Sequence, residues 1–210
     1  MAHDDFEIEP VRGLPETPPE GERILWQGRP ASLALAREAL SLDWVAGYFV
    51  VLAIWRTVAL GPELGWLQSF RAATPFLVMG AVACAILLAI AVVMARSTVY
   101  TITNRRVAMR IGAALNVTLN LPYRWIGSAD LARRRDGTGT IALDLMGGTK
   151  LSYLVCWPHV RPWRIARPQP ALRCIPDAEK IAGLLADAAQ TRLTEQVMDR
   201  VAQPHPVAAE

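Results

Sequence analysis

The sequence has 210 residues, of which 52% are hydrophobic and 20% are charged, and its formal net charge is +3. Wholesale disorder is excluded, because disordered chains are poor in apolar residues and rich in charge. The 14 glycines and 15 prolines have no period, which excludes a collagen-like chain, and three cysteines are too few for a disulfide scaffold. The basic balance alone suggests nucleic acid or an anionic membrane surface as a partner.

The first 41 residues divide into a tail and a surface segment. Residues 1–21 are acidic and rich in proline, and like charges that repel one another predict a solvated tail. The segment 22–41 opens with the apolar residues Ile24, Leu25 and Trp26. After Pro30 the apolar spacing predicts an amphipathic helix at the cytoplasmic membrane surface.

Two apolar runs follow, over about 42–60 and 75–94. The second run contains no charge and has the length that crosses a hydrocarbon core of roughly 30 Å. We therefore predict a transmembrane helical hairpin over 42–95, with an external loop at 61–74. A buried core helix is the alternative for the second run, and a re-entrant or interfacial helix is the alternative for the first. Aromatic and arginine side chains at the ends of the runs are predicted to lie at the membrane interface: Trp44, Trp55, Arg56, Trp66 and Arg96.

Arginines flank the predicted hairpin on the sides of both termini. Arg23, Arg29 and Arg37 precede it and Arg105 and Arg106 follow it, whereas the loop holds a single arginine. The positive-inside rule therefore predicts a multi-pass membrane protein with both termini in the cytoplasm. The first apolar run starts late in the sequence, after an acidic and proline-rich tail rather than a basic n-region, so we expect no signal peptide.

Period-two alternation dominates the region 97–190. It predicts strands around Val107–Ile111, Leu115–Leu121, Ile141–Leu145 and Leu151–Val155, with a hairpin turn at Asp136-Gly137. A proline at 176 marks the predicted start of a helix, which ends within 191–210 and has one apolar face: Ile181, Leu184, Leu185 and Ala188. The predicted fold is thus an α+β membrane protein, with two transmembrane helices and a cytoplasmic, pleckstrin-homology (PH)-like antiparallel β-barrel of six or seven strands capped by the C-terminal helix. A mixed α+β sandwich is the alternative.

The sequence contains no recognisable catalytic constellation. His159 is the only histidine outside the two terminal regions, and no cysteine or histidine pair has the spacing of a zinc site. We therefore predict no enzymatic activity, no metal and no cofactor. A pigment-ligand role for His159 is the alternative to a structural hydrogen bond. Cys84, Cys156 and Cys174 are expected to be reduced packing residues.

The segment Trp157–Arg173, called the arm below, interrupts the strand pattern with prolines. Ten of its residues are predicted to bind a partner: Trp157, Pro158, His159, Arg161, Pro162, Trp163, Arg164, Pro168, Pro170 and Arg173. Tryptophan and arginine are enriched at interface hot spots, and proline lowers the entropy lost on docking. Two alternatives remain: the tryptophans fold back onto the domain, or the arm contacts anionic lipid headgroups.

A second basic patch, Arg133, Arg134 and Arg135, directly precedes the turn at Asp136. It is a candidate site for lipid or a partner, and a solvated hairpin tip is the alternative. In a protein with a membrane hairpin the anionic leaflet is the nearest polyanion, so we do not expect nucleic acid as a partner.

Several stretches carry a family resemblance: GERILWQGRP before the first apolar run, VYTITNRRV after the second, LNLPYRWIGSADLARRRDGTGTIALDL, and LVCWPHVRPWRIARPQPALRCIPDAEKIAGLLADA. They resemble the PuhB family of photosynthetic complex assembly proteins of purple bacteria, over roughly Gly21–Ala188. The resemblance implies a non-enzymatic homodimer in the photosynthetic inner membrane. It also implies a role in assembling the reaction centre with its core light-harvesting complex (LH1), with the reaction-centre H subunit or LH1 polypeptides as clients. The alternative is a lipid-binding or membrane-organising PH-like module. A membrane enzyme or transporter is disfavoured, because two spans supply no pathway.

Overall fold

The computed structural model describes residues 11, 13–14, 16–112, 117–147 and 151–202. The chain divides into two compact units. One unit is helical and covers 31–96, and the other is formed by the described residues before and after it.

The helical unit contains α1 (Ser32–Ala39), α2 (Leu42–Leu64) and most of α3 (Trp66–Ser97). Only Gly65 separates α2 from α3, and its φ of 78° lies in the left-handed region that favours glycine. The loop predicted at 61–74 is therefore wrong, because both helices continue through it. Pro75 lies inside α3 rather than at its start, since an internal proline removes one ladder hydrogen bond without ending a helix whose other turns are satisfied.

Both long helices are apolar on surfaces that the protein leaves uncovered. The most apolar windows of α2 and α3 have mean hydropathies of 1.6 and 2.9, and only 11% of each window is buried. The prediction of two helices long and apolar enough to cross a membrane is confirmed. The two helices approach closely at Gly80, where an added Cβ would lie 2.7 Å from the Cβ of Phe49.

The second unit is built from two antiparallel sheets and one long helix. The first sheet has the order β1 (Ile24–Gly28), β2 (Val99–Thr103), β3 (Arg106–Ile111) and β4 (Val117–Pro122). The second has the order β5 (Ile126–Arg133), β6 (Thr138–Leu145) and β7 (Ala171–Pro176). The helices of this unit are the short α4 (Tyr153–Cys156) and the C-terminal α5 (Ala178–Ala202).

The predicted closed barrel is wrong, because the strands form two separate sheets. A 3-10 turn at Tyr123–Trp125 lies between β4 and β5, so the chain leaves one sheet before it starts the next. In the described residues no ladder joins β4 to β5. The apolar core lies among the two sheets and α5, and its largest buried side chains include Tyr100, Met109, Ile141, Leu143 and Ile175. Ile181, Leu185 and Ala188 of α5 pack into it as the sequence pattern predicts.

The segment 22–41 differs from its interpretation as a surface segment. Its first part is β1, which pairs with β2 from Ile24 opposite Thr103 to Gly28 opposite Tyr100. The helix expected after Pro30 is α1. Because Trp26 packs against the core, the apolar residues at the start of the segment belong to the second unit, which is called the PH-like unit below after its predicted fold. Part of the predicted tail is also ordered, since Leu14 is fully buried.

Two further local predictions are wrong. The predicted strand Leu151–Val155 is the single helical turn α4, because three alternating apolar residues before a proline fit a turn as well as a strand. Pro176 ends β7, and α5 starts at Ala178 after Asp177, whose φ is 52°. Residues 115 and 116 of the predicted strand Leu115–Leu121 lie outside the described residues, and the rest of it forms β4.

Candidate functional site: the arm

The arm leaves α4 and returns as β7, and its two ends are held together by the backbone. Val160 and Pro170 form an antiparallel bridge. The N–H of Arg161 donates to the carbonyl of Gln169 at 2.9 Å, and the N–H of Ala171 donates to the carbonyl of His159 at 2.9 Å. The residues from 162 to 168 therefore form a closed loop, called the arm tip below.

His159 forms the buried centre of the arm, with 1% of its surface exposed. Its Nδ1 lies 2.6 Å from the Tyr100 hydroxyl and its Nε2 lies 3.0 Å from the Thr98 hydroxyl. The Tyr100 oxygen accepts the backbone N–H of Arg173 at 3.2 Å, so the Tyr100 proton is available to Nδ1. In this arrangement Nε2–H donates to Thr98, and both ring nitrogens are engaged inside the domain.

Burial and the nearby Arg173 guanidinium lower the pKa of His159 to about 3, so the ring is neutral at physiological pH. Arg173 is itself buried, and its Nη1 donates to the carbonyl of Pro158 at 3.0 Å. Pro158 and Pro170 are buried as well. Four of the ten predicted partner-binding residues are thus packed inside the domain, and the two nitrogens of His159 are turned to protein partners.

Arg161 fixes the arm to the second sheet. Its Nη1 lies 2.7 Å from the Asp130 carboxylate of β5 and donates to the Gln169 side chain at 3.2 Å. Gln169 in turn donates to the Asp144 carboxylate of β6 at 3.0 Å. The base of the arm, residues 159–161 and 169–171, is therefore attached to β5 and β6 by charged or polar contacts.

The arm tip is the exposed part of the predicted site. Trp163 is 92% exposed, and its φ of 64° places a bulky residue in the left-handed region. Pro162 and Arg164 are exposed, and Pro168 is half-buried. Ile165, which is 67% exposed, and the exposed Arg167 belong to the same loop, although the sequence argument did not select them. No Asp or Glu occurs from Leu145 to Pro176. This absence of acidic residues is the sequence signal that could have identified the whole loop.

A second group of exposed apolar side chains lies just before the arm tip. Leu154 is 84% exposed, Val155 55% and Trp157 41%. The first two lie on α4, where the sequence pattern predicted a half-buried strand. Leu154 and Val155 are apolar and adjacent in a segment that has no partner strand. That combination is the signal that could have identified this surface.

The Arg133–Arg135 patch has mixed charge in the structure. Arg133 lies 3.0 Å from the Glu179 carboxylate, and both side chains are largely exposed. Asp177 and Glu179 line the same open cavity as Arg133, Arg134 and Lys180. The predicted turn is present, and the hydroxyl and N–H of Thr138 hydrogen-bond Asp136 and hold the pKa of its carboxyl below the ordinary value.

The side chains predicted for the membrane interface are all exposed on α2 and α3: Trp44, Trp55, Arg56, Trp66 and Arg96. An added Cβ at Gly61 would meet the ring of Trp66 at 2.7 Å, so this tryptophan packs closely across the turn between the two helices.

The family model for the bacterial PH domain matches residues 42–189. The chain belongs to the bacterial PH domain family. The matched region of this bacterial PH domain protein contains α2, α3 and the strands from β2 to β7. β1 lies outside it, although β1 completes the first sheet.

A relative of nearly equal extent is a Rhodobacter capsulatus protein described as "Uncharacterized 23.7 kDa protein in puhA 5'region". It is 47% identical over 197 residues, which cover 93% of this chain and 92% of the relative. Among solved structures, a DUF1696 family protein with a pleckstrin-homology domain from Shewanella loihica matches with a TM-score of 0.30 and 14% identity. That match covers 44% of this chain and 71% of the other.

Proposed function

We propose that this bacterial PH domain protein is a membrane-anchored, non-enzymatic assembly factor for the photosynthetic reaction centre and LH1. The observation that carries the proposal is the Rhodobacter capsulatus relative, which aligns over almost the whole chain and is named for its place in the puhA 5' region. That context agrees with the resemblance of the arm sequence to the PuhB family. Clients are bound within the membrane and at its cytoplasmic face.

In this proposal α2 and α3 span the photosynthetic inner membrane and both termini lie in the cytoplasm. The uncovered apolar surface of the two helices supports the spanning arrangement, because such surface is stable in lipid and costly in water. The arginines on the terminal sides of the hairpin support the orientation. A hairpin placed in this way meets newly inserted client helices directly.

At the cytoplasmic face we assign client contact to α4 and the residue that follows it. Leu154, Val155 and Trp157 present an apolar surface on one short segment, and tryptophan is a frequent hot-spot residue. The client chemistry is an apolar surface of a reaction-centre or LH1 subunit, with the H subunit as first candidate. The resemblance also supports a homodimer as the active form.

The test is a deletion strain complemented with variants. Deletion should lower the reaction-centre and LH1 absorbance of isolated membranes while pigment synthesis continues. Trp157→Ala should restore less absorbance than the unmodified gene, because it removes the largest apolar side chain of the proposed client surface. Trp125→Ala is the matched control, since Trp125 is 38% exposed and Trp157 41% exposed in the same unit. Normal absorbance in the deletion strain would overturn the proposal.

A lipid-binding or membrane-organising module is the second candidate function, and the composition of the arm tip favours it. Arg164 and Arg167 accompany the exposed Trp163 and Ile165 in a region without acidic residues. In that case Trp157→Ala would leave complex assembly unchanged, and changes in the arm tip would alter membrane organisation. Absorbance of the complemented strains separates the two candidates.

A further inference from the structure

The arm tip combines features that a soluble protein surface rarely combines. Trp163 is 92% exposed and Ile165 is 67% exposed, two residues apart in one closed loop. The φ of Trp163 is 64°, a region that costs free energy for any residue with a Cβ. Such local strain persists where the surrounding structure imposes it, and it points to a use for the exposed ring.

The electrostatic character of the loop is uniform. Arg164 and Arg167 are exposed, and no acidic residue occurs in the sequence from Leu145 to Pro176. The Asp130 and Asp144 carboxylates that face the arm contact its base, through Arg161 and Gln169. The tip thus presents two cations beside two apolar side chains, which matches an anionic, amphipathic surface.

The attachment of the arm places its base close to the end of α3 along the chain. His159 hydrogen-bonds Thr98, and Thr98 directly follows Ser97, the last residue of α3. A buried contact therefore ties the arm to the residue at which the chain leaves the second apolar helix.

We propose that the arm tip inserts into the interfacial layer of the membrane that α2 and α3 span. Trp163 and Ile165 lie at the boundary between headgroups and acyl chains, where tryptophan is enriched. Arg164 and Arg167 bind the phosphates of anionic lipid headgroups. The tip is thus a third membrane attachment, in addition to α2 and α3. This inference rests on the proposed spanning by the two helices and does not require a photosynthetic client.

The experiment uses the full chain in nanodiscs that contain phosphatidylcholine brominated near the headgroup and unbrominated phosphatidylglycerol. The difference in tryptophan fluorescence between the unmodified protein and Trp163→Phe isolates the emission of Trp163. We expect that emission to be shifted to shorter wavelength and quenched by the brominated lipid. The corresponding difference for Trp125→Phe should show no quenching, because Trp125 lies outside the arm tip.

A second pair of variants tests the role of charge. Arg164→Gln combined with Arg167→Gln should reduce the lipid quenching of Trp163 in nanodiscs that contain phosphatidylglycerol, and should have a smaller effect in phosphatidylcholine alone. Arg124→Gln is the control, because Arg124 is an exposed arginine of the 3-10 turn and belongs neither to the arm tip nor to the Arg133–Arg135 patch. An equal reduction by Arg124→Gln would overturn the proposed contact with headgroups.

Trp55 of α2 distinguishes failure of the inference from failure of the spanning proposal. If Trp55 emission is quenched by lipid and Trp163 emission is quenched only by iodide in the water, the helices are in the membrane and the inference is wrong. If neither tryptophan is quenched by lipid, both proposals fail. If added client protein shields Trp163 from iodide without any lipid quenching, the tip binds protein and the inference is overturned.

Discussion

His159 and Tyr100 form a polar centre in a core that is otherwise mainly apolar. Burying polar groups is costly unless their hydrogen bonds are satisfied, and here Thr98, Tyr100 and the backbone of Arg173 supply partners. The network joins β2 to the arm and β7, which follow it about 60 residues or more later in the sequence. Its role is to fix the arm on the domain, and its titration can be tested.

The first prediction concerns pH. The pKa of His159 is about 3 in the folded domain, whereas the unfolded chain titrates at the ordinary value of 6.5. As pH falls below 6.5, His159 becomes protonated in the unfolded state, whereas in the folded state it stays neutral until pH approaches 3. Stability contributed by neutral His159 is therefore complete above 6.5 and is lost on acidification, with a limiting slope of about 1.4 kcal/mol per pH unit.

The measurement is thermal unfolding of the full chain in detergent at several pH values from neutral to moderately acidic, followed by near-ultraviolet circular dichroism. His159→Gln keeps a hydrogen-bonding side chain without a titrating ring, so its stability should be lower at neutral pH and should depend less on pH. Identical pH dependence in the two proteins would contradict the assigned role of His159.

Glu22 provides a second prediction at the residue scale. Its side chain is 3% exposed, it accepts from Arg106 Nε at 2.9 Å, and it accepts from the Thr103 hydroxyl at 2.8 Å. Glu22→Ala leaves the half-buried guanidinium of Arg106 without this carboxylate, and should lower the free energy of unfolding by roughly 3 kcal/mol. Glu20→Ala, at an exposed position of the same segment, should change it by less than about 0.5 kcal/mol. Urea titration of both variants provides the comparison.

Sequence reasoning located the arm but did not separate its base from its tip. Tryptophan, arginine and proline were chosen as candidate contacts by residue type alone. In the structure some residues of these types are packed inside the domain and others are exposed. His159 and Arg173 are buried because Tyr100 and Thr98 lie opposite them, and those partners are about 60 residues or more away in sequence. Ile165 was missed because an isolated isoleucine in a loop has no periodic pattern.

At the scale of elements, the helical hairpin is inserted between β1 and β2, two strands that pair with each other. The pattern after residue 97 predicted the later strands, since each follows an alternating run with turn signals. β1 was not predicted as a strand, because its five residues stand before the apolar helices and their partner strand begins 71 positions after β1 ends. The separation into two sheets was also missed, since alternation describes the faces of strands and not whether the last strand pairs with the first.

The packing of α2 on α3 yields a third prediction. An added Cβ at Gly80 would lie 2.7 Å from the Phe49 Cβ, so Gly80→Leu must push the helices apart. We expect a loss of roughly 1–3 kcal/mol in the stability of the helical pair, typical of overpacking. Unfolding in mixed micelles by SDS titration, followed by tryptophan fluorescence, measures this loss.

Gly47→Leu is the matched control for that prediction. Gly47 lies in α2, and an added Cβ there meets nothing within 4 Å. The substitution should leave the stability of the helical pair unchanged or raise it slightly, because leucine is a better helix former than glycine. Equal losses in Gly80→Leu and Gly47→Leu would show that the close approach at Phe49 does not stabilise the pair.

At the scale of the whole molecule, the mild average hydrophobicity and the basic charge belong to different parts of the chain. The excess apolar surface is on α2 and α3, which bury little of it within the protein. Arginines are abundant before α2 and after α3, and acidic residues are concentrated in the first 22 positions. This distribution favours membrane topology rather than nucleic-acid binding as the reason for the net positive charge.

The topology itself is the fourth prediction, tested with single cysteines and a membrane-impermeant maleimide. Glu63 lies at the end of α2. Glu63→Cys should therefore react in right-side-out spheroplasts but not in inside-out vesicles. Gln190→Cys, at an exposed position of α5, should show the reverse. The unmodified protein is the control, since Cys156 and Cys174 are buried and Cys84 lies within α3. Labelling of Gln190→Cys in spheroplasts would mean that the arginine bias does not set the orientation. Labelling of both introduced cysteines from the same side would mean that α2 and α3 do not span the membrane as a hairpin.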